Sequence, residues 1–331
     1  MDVLAIDSGQ NADASAAMAI DLPVTRHRLH LIAETAVRLP AYAGSTWRGA
    51  LGHALKRTVC VTGGRHCPDC LLYRSCVYPY VFETPPPEHA EKLRKYPAAP
   101  HPFVIEPWPD CRDVAPGADF GVDLLLIGRG QSQLAYFIEA LRRAGQGGVG
   151  QGAARGEGRY ALVGVEQETA AGWQTIYTSG GRLESLPAQM PAIPPLPAGP
   201  VRVELVTPLR LKVADDLVTP DRLGFRDFFS ALLRRLSLLS YFHTDTPLDT
   251  DFRALVQAAE AVPIADAELR WHDWTRYSAR QESLLQMGGL VGGFALPGAA
   301  LAPFWSCLWL GQWTHAGKGA VMGLGRYRII T

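Results

Sequence analysis

The sequence predicts an α+β protein built from tandem ferredoxin-like βαββαβ domains, with a small four-cysteine metal-binding insertion in the first. Three observations carry that expectation. The order strand–helix–strand–strand–helix–strand is read twice along the chain, a proline-dense connector separates the two readings, and a glycine-rich loop precedes the last strand of each. A length of 331 residues suits about two domains, each able to bury a core. With 47% hydrophobic and 19% charged residues the composition is globular, which excludes disorder and coiled coil.

Taken in order, residues 1–20 read as a flexible tail, without the basic cluster or sustained apolar stretch of a secretory signal. In the first domain (21–186) a strand is expected over Val24–Val37 and a helix over Ser45–Arg57, with Trp47, Ala50, Leu51, Ala54 and Leu55 on its apolar face. The cysteine-rich insertion (60–76) and a proline-rich loop (84–109) follow. Strands near Phe103–Ile105 and Phe120–Ile127, a helix over Gln131–Ala144, a glycine-rich loop at 145–158 and a strand over Arg159–Glu166 complete the unit. Six of the fourteen residues Pro187–Pro200 are proline, which makes 187–200 a stiff extended linker.

The second domain (201–331) opens with a strand over Val201–Val213. A helix follows over Phe225–Tyr241, where Phe225, Phe228, Phe229, Leu232, Leu236 and Leu239 share one face. After a helical piece at Asp251–Ala261 come strands over Glu268–Tyr277 and Leu284–Leu296, a short helix over Leu301–Trp313, the glycine-rich loop Gly317–Gly325 and a last strand over Arg326–Ile330. The 35 residues from Ser283 to Gly317 carry no Asp, Glu, Lys or Arg. Prolines and glycine pairs cut that run into pieces shorter than the ~20 residues of a spanning helix, so no membrane contact and a cytoplasmic location are expected.

Charge narrows the partners. The chain balances 32 basic against 32 acidic residues, so it offers no global footprint for nucleic acid. Between Thr25 and Cys76, however, eight Arg and Lys face two acids. Gly148 and Gly150 in the first loop, and Gly317, Lys318, Gly319, Gly323, Gly325 and Arg326 in the second, combine bare backbone with cations. That combination suits a phosphodiester, because without a Cβ the amides can approach it closely. Neither loop opens a helix with Gly-Lys-Ser/Thr, and neither follows a strand as a dinucleotide fingerprint does. Plain flexible connections are the other reading.

Cys60, Cys67, Cys70 and Cys76 are spaced C-x6-C-x2-C-x5-C. In a cytosolic chain such clustering favours metal thiolates over disulfides, and four thiolates make a closed structural zinc site without catalytic chemistry. An iron–sulfur cluster, or unligated or disulfide-bonded cysteines, are the alternatives.

Two stretches carry a family resemblance. One is Leu39-Pro-Ala-Tyr42-Ala-Gly44-Ser-Thr-Trp-Arg48-Gly49-Ala-Leu-Gly52 with the cysteines behind it. The other runs from Arg276-Tyr277-Ser278-Ala-Arg280-Gln281 through Gly288-Gly289 to His315-Ala-Gly317-Lys318 and Gly323-Leu-Gly325-Arg-Tyr. Together they resemble the CRISPR-associated RAMP-superfamily endoribonuclease that processes precursor CRISPR RNA. The resemblance implies two ferredoxin-like (RRM-like) domains and CRISPR repeat RNA as substrate. It also implies metal-independent cleavage by the substrate's 2′-hydroxyl, leaving a 2′,3′-cyclic phosphate and a 5′-hydroxyl.

Such a reaction needs proton carriers and a positive stabiliser around one phosphorus. On the expected first helix, Gly49, Gly52, His53 and Lys56 fall opposite the apolar face, with Arg48 and Arg57 at its margins. Family members commonly carry a His on this helix, a Tyr just before it and sometimes a Lys. The resemblance therefore implies His53 as acid or base, Tyr42 as an orienting hydroxyl and Lys56 as the stabiliser. His315, beside the second glycine-rich loop, is an RNA-binding candidate and the reserve proton carrier, and His30 is a weaker one because strand alternation points it to the core. A solvated helix face is the plain reading of the same residues. A non-catalytic RAMP-type subunit binding the guide RNA in a CRISPR effector complex is the competing function. A small-molecule phosphate enzyme has no support in the sequence.

Overall fold

The computed structural model describes residues 18–64, 66–86, 99–278 and 283–331, with side chains left aside at 276–286. Most of the expected tail, Arg65, the middle of the proline-rich loop and Arg280-Gln281 lie outside the described residues. The first half contains β1 (Val24–Ala33), α1 (Gly44–Val59), β2 (Phe103–Pro107), β3 (Asp119–Ile127), α2 (Leu134–Gly147), β4 (Tyr160–Thr169) and β5 (Gly172–Thr178). The second contains β6 (Val201–Leu209), α3 (Phe225–His243), α4 (Phe252–Ala258), β7 (Ala265–Ser278), β8 (Ser283–Leu296), α5 (Trp305–Thr314) and β9 (Tyr327–Ile330).

Both sheets are antiparallel. The first has the order β2-β3-β1-β4-β5 and the second β7-β8-β6-β9. In each, the first strand of the unit lies between the third and the fourth, as the split βαβ arrangement requires. Strand β5 is absent from the sequence reading, because only Ile176 of its residues is buried and no alternation marks it. The strand expected over Val24–Val37 stops at Ala33, and Val37–Arg38 pairs separately with Asp113–Val114. Likewise β6 ends at Leu209, and Lys212–Val213 turns back onto Asp216–Leu217.

Trp47, Phe103, Phe120, Phe137 and Tyr160 fill the first core, and Phe228, Phe229, Phe294 and Tyr327 the second. The two cores meet along β3, which is buried on both faces: Leu124 and Leu126 face its own helices, while Leu125 and Ile127 join the second core. The linker runs along α5, where Trp305 Nε1 donates to the Pro194 carbonyl (2.7 Å) and Trp309 Nε1 to that of Ala192 (2.8 Å).

Hydrogen bonding repeats between the halves. Arg159 N–H donates to Thr35 Oγ1 at 2.9 Å, and Arg326 N–H donates to Thr207 Oγ1 at 2.9 Å. Tyr160 Oη reaches the Leu141 carbonyl and Tyr327 Oη that of Leu308, each across 19 positions. Gln151 N–H bonds to Arg38 O as Lys318 N–H bonds to Arg210 O. Gly150 (φ +84°) and Gly317 (φ +75°) sit on those same two carbonyls, so closely that a Cβ would collide with either. One construction, used twice, thus ties each glycine-rich loop to the segment that follows its own domain's first strand.

A buried charge cluster closes the seam. Glu106, at 3% exposure, accepts from His315 Nε2 at 2.7 Å and pairs with Arg26 (3.5 Å) and Arg326 (3.3 Å). Burial alone would raise its pKa, but the His315 hydrogen bond and the two guanidinium groups prevail and hold the carboxyl at about 2. A depressed carboxyl stabilises the fold above its unfolded value of 4.5, and that contribution is lost as pH falls through about 2. Glu106→Gln should therefore cost about 3 kcal/mol at pH 7 and flatten the acid limb of the stability profile between those two values. Urea titrations across pH check this; an acid limb identical to wild type would refute it.

Candidate functional site

Helix α1 presents three rows. Trp47, Leu51, Ala54 and Leu55 are buried in the first core. Arg48, Gly52 and Lys56, at i, i+4 and i+8, face a π-helical turn at Pro79–Glu83. The Arg48 guanidinium lies 5.2 Å from the Phe82 ring and donates to His101 Nε2 at 3.3 Å. A Cβ on Gly52 would press on Phe82, and the Lys56 ammonium stands 5.4 Å over the Tyr78 ring. The third row, Gly49, His53 and Arg57, is exposed. The sequence reading placed Gly52 and Lys56 on the solvent face beside His53, and the structure corrects this. The segment behind the cysteines returns to cover that flank, which helical periodicity does not reveal.

The histidines sort by environment. Burial lowers His27 to about 4, His101 to about 3 and His243 to about 4, so all three are neutral near pH 7. His315 is fully buried, and burial lowers it against the opposing pull of Glu106. It belongs to the seam and does not present itself to a ligand. His30 Nε2 lies 2.7 Å from Glu166 Oε2, and His66 Nδ1 lies 2.9 Å from Asp69 Oδ2. Among the described residues, His53 and His272 are the imidazoles neither buried nor bonded to a carboxylate.

His272 belongs to a cluster the sequence reading missed. On β7, Arg270, His272 and Trp274 fall on one face by the two-residue period, and that pattern was the available signal. The cluster crosses the seam: Tyr42 lies 4.6 Å from Trp274 and 5.7 Å from His272, whose rings are stacked at 6.0 Å. Burial raises the Tyr42 pKa and Arg270 opposes it, so the hydroxyl keeps its proton. Tyr42 stands just ahead of Gly44, where α1 begins, and His53 lies nine residues further along, about 14 Å down the axis. Tyr42 therefore stands at the start of the helix and His53 past its middle, too far apart to share one atom of a ligand.

The glycine-rich loops are also reassigned. Gly323 and Gly325 are buried, and their amides donate to the carbonyls of Ala320 and Pro208. Gly148 donates to Gly145 O, and Gly150 rests on Arg38 O. The amides of Gly148, Gly323 and Gly325 already serve the fold, so the expected offer to a phosphodiester does not hold at those three positions; at Gly150 the Arg38 carbonyl leaves no room for a side chain. Arg326 pairs with Glu106, while Lys318 is exposed beside half-buried Gly317 and Gly319. In the same region, a Cβ at Gly44 would collide with the Met322 carbonyl, so this loop also seats the start of α1.

All four clustered cysteines line one cavity with Lys56 and Tyr78. Their thiols are free and half-buried, and among the described residues they do not converge to a coordination geometry. Among the described residues, no helix is long and apolar enough to cross a membrane.

Comparison with known proteins follows the division into halves. Residues 22–189 match the AF_1859_N family model, described as an N-terminal domain, and residues 203–327 match that of the CRISPR-associated endoribonuclease Cas6. No curated protein matches the chain. Among solved structures, the fold is similar to Thermus thermophilus Cas6 (TTHB231), with 16% identity, a TM-score of 0.51, and coverage of 94% of this chain and 100% of that one. A Cas6 (TTHB231) product complex gives 18%, 0.53, 93% and 99% by the same measures, and a partial Cas6-RT-Cas1–Cas2 complex gives 14%, 0.55, 95% and 47%.

If the glycines serve the fold, Gly325→Ala and its counterpart Gly158→Ala should each lower stability by about 1–3 kcal/mol, since both need positive φ against a carbonyl. Calorimetry of the two variants checks this; unchanged melting of either would return that loop to the ligand-binding reading.

Proposed function

The chain belongs to the AF_1859_N family through its first domain and carries the Cas6 endoribonuclease domain in its second, and from that premise we propose that it cleaves CRISPR repeat RNA, releasing guide RNAs from their precursor transcript. In this reading both halves are ferredoxin-like, and the attacking group is the substrate's own 2′-hydroxyl. Cleavage then needs no metal and leaves a 2′,3′-cyclic phosphate and a 5′-hydroxyl. One observation carries the assignment of chemistry. His53 is an exposed imidazole without a carboxylate partner, with open space at Gly49 one turn before it and the exposed Arg57 one turn after.

His53 moves the proton, because its exposed imidazole can accept a proton at one ring nitrogen and donate one from the other. Gly49 lets the RNA backbone lie against the helix, and Arg57 supplies positive charge to the phosphate. Lys56 contributes charge from the neighbouring row, and Arg48 and Gly52 hold the aromatic cover beside it. Exposed Lys318, with Gly317 and Gly319, and Arg326 at its rim extend the contact into the second domain. Tyr42, His272 and Trp274 offer aromatic faces on which unpaired bases stack. A CRISPR effector complex is a further partner on this reading.

The Tyr42 contacts favour a second arrangement, in which Tyr42 and His272 together work on the scissile bond across the seam. Cleavage of a repeat RNA in EDTA, with and without a 2′-deoxy substitution at the scissile nucleotide, tests the activity and separates the two arrangements. His53→Ala should slow cleavage about 10²–10⁴-fold while repeat binding persists. Full activity in that variant, with the same loss in His272→Ala, would move the chemistry to the seam. Tight binding without cleavage by the wild type would instead identify a guide-RNA scaffold.

A further inference from the structure

The insertion at 60–76 presents a physical problem of its own. None of its described residues is buried, and Val61 (82% exposed) and Leu71 (89% exposed) point into solvent. A segment of this size without apolar burial has nothing of its own to offset the chain entropy of holding one shape. Yet it stands between two parts that need fixed positions. Cys60 directly follows the last residue of α1, Val59, and its N–H closes that helix on Lys56 O (2.9 Å). Cys76 leads into the turn Pro79–Glu83, whose flanking Tyr78 and own Phe82 cover the Lys56, Gly52 and Arg48 row.

Between those ends, Cys67 and Cys70 bracket one 3₁₀ turn, with Cys70 N–H on Cys67 O at 2.9 Å. Such a turn brings two cysteines close together, and here all four cysteines line the same cavity. The Thr62 hydroxyl lies 3.8 Å from Cys60 Sγ and 3.5 Å from Cys70 Sγ, so a single small group already bridges the first sulfur of the segment and one from its middle. Among the described residues no other cluster has this composition: Cys111 and Cys307 stand apart, and Cys307 is buried.

We propose that Cys60, Cys67, Cys70 and Cys76 bind one thiophilic divalent ion, Zn²⁺, as a closed tetrahedral thiolate site. Binding draws the thiols in from the cavity wall, with Thr62 giving up its bridge, and releases their protons to solvent. The ion then staples the end of α1 to the start of the aromatic turn, and so holds Tyr78 and Phe82 over the row that flanks His53. With four sulfur ligands it has no open position and takes no part in phosphodiester chemistry.

The test uses the full chain expressed in zinc-supplemented medium and measures metal content, independently of any RNA activity. Elemental analysis should find close to one zinc per chain, lost in Cys67→Ser/Cys70→Ser and retained in Cys111→Ser. Should the double variant fail to fold, the wild type alone decides. Stripping with a thiol-directed reagent and a chelator should lower the melting midpoint, and zinc should restore it. Replacement by Co²⁺ should give the visible bands of a tetrahedral thiolate site. Iron in place of zinc, with the visible absorbance of a cluster, overturns the zinc assignment. Absence of both metals, with no thermal response to added zinc, overturns the site altogether.

Discussion

A carboxylate buried between two domains must be surrounded by donors, and Glu106 is surrounded by donors from both. Arg26 comes from the first strand, while His315 and Arg326 come from either end of the glycine-rich loop of the second domain. Placing an ion in an apolar seam is costly unless every partner is in position, so the cluster tolerates one relative placement of the halves. That placement sets Met322 against Gly44 at the start of α1 and brings the β7 face to Tyr42. Whatever α1 does to a ligand, it does from a position defined by this seam.

The paired hydrogen-bond patterns show one loop construction used twice with different contents. Both glycine-rich loops have the same anchors, Thr35 with Arg159 and Thr207 with Arg326. Only the second carries a buried histidine bonded to a residue of the other domain. Gly317, Gly323 and Gly325 are required by carbonyls that approach too closely for any side chain, and this need is met before any ligand is considered. A glycine-rich sequence next to cations is therefore compatible with a purely architectural role, and Lys318, Gly317 and Gly319 are the part of this loop still turned outward.

Burial also divides the imidazoles. The neutral ones, His27, His101 and His243, are fixed by hydrogen bonds in or beside the cores, and His101 accepts from Arg48 because it is unprotonated. The chain thus spends several histidines on packing and leaves His53 and His272 where a ligand can meet them. These two lie on different domains, one on the exposed row of α1 and one across the seam from Tyr42.

Local patterning was sufficient for most of the elements, β5 excepted. The spacing of Phe225, Phe228, Phe229, Leu232 and Leu236 marks α3, the prolines mark the linker, and the doubled order of strands and helices marks the two halves, because each signal lies within a few neighbouring residues. The exposure of His53 and the burial of Trp47 also follow from helical periodicity. Only the tertiary structure decided that Gly52 lies under Phe82, that His315 faces Glu106 across 209 positions, and that Tyr42 meets His272 rather than His53. Each of those depends on which surface returns to cover another. That is a matter of long-range packing and of where an ion can be desolvated, and the local period of a sequence carries no record of it.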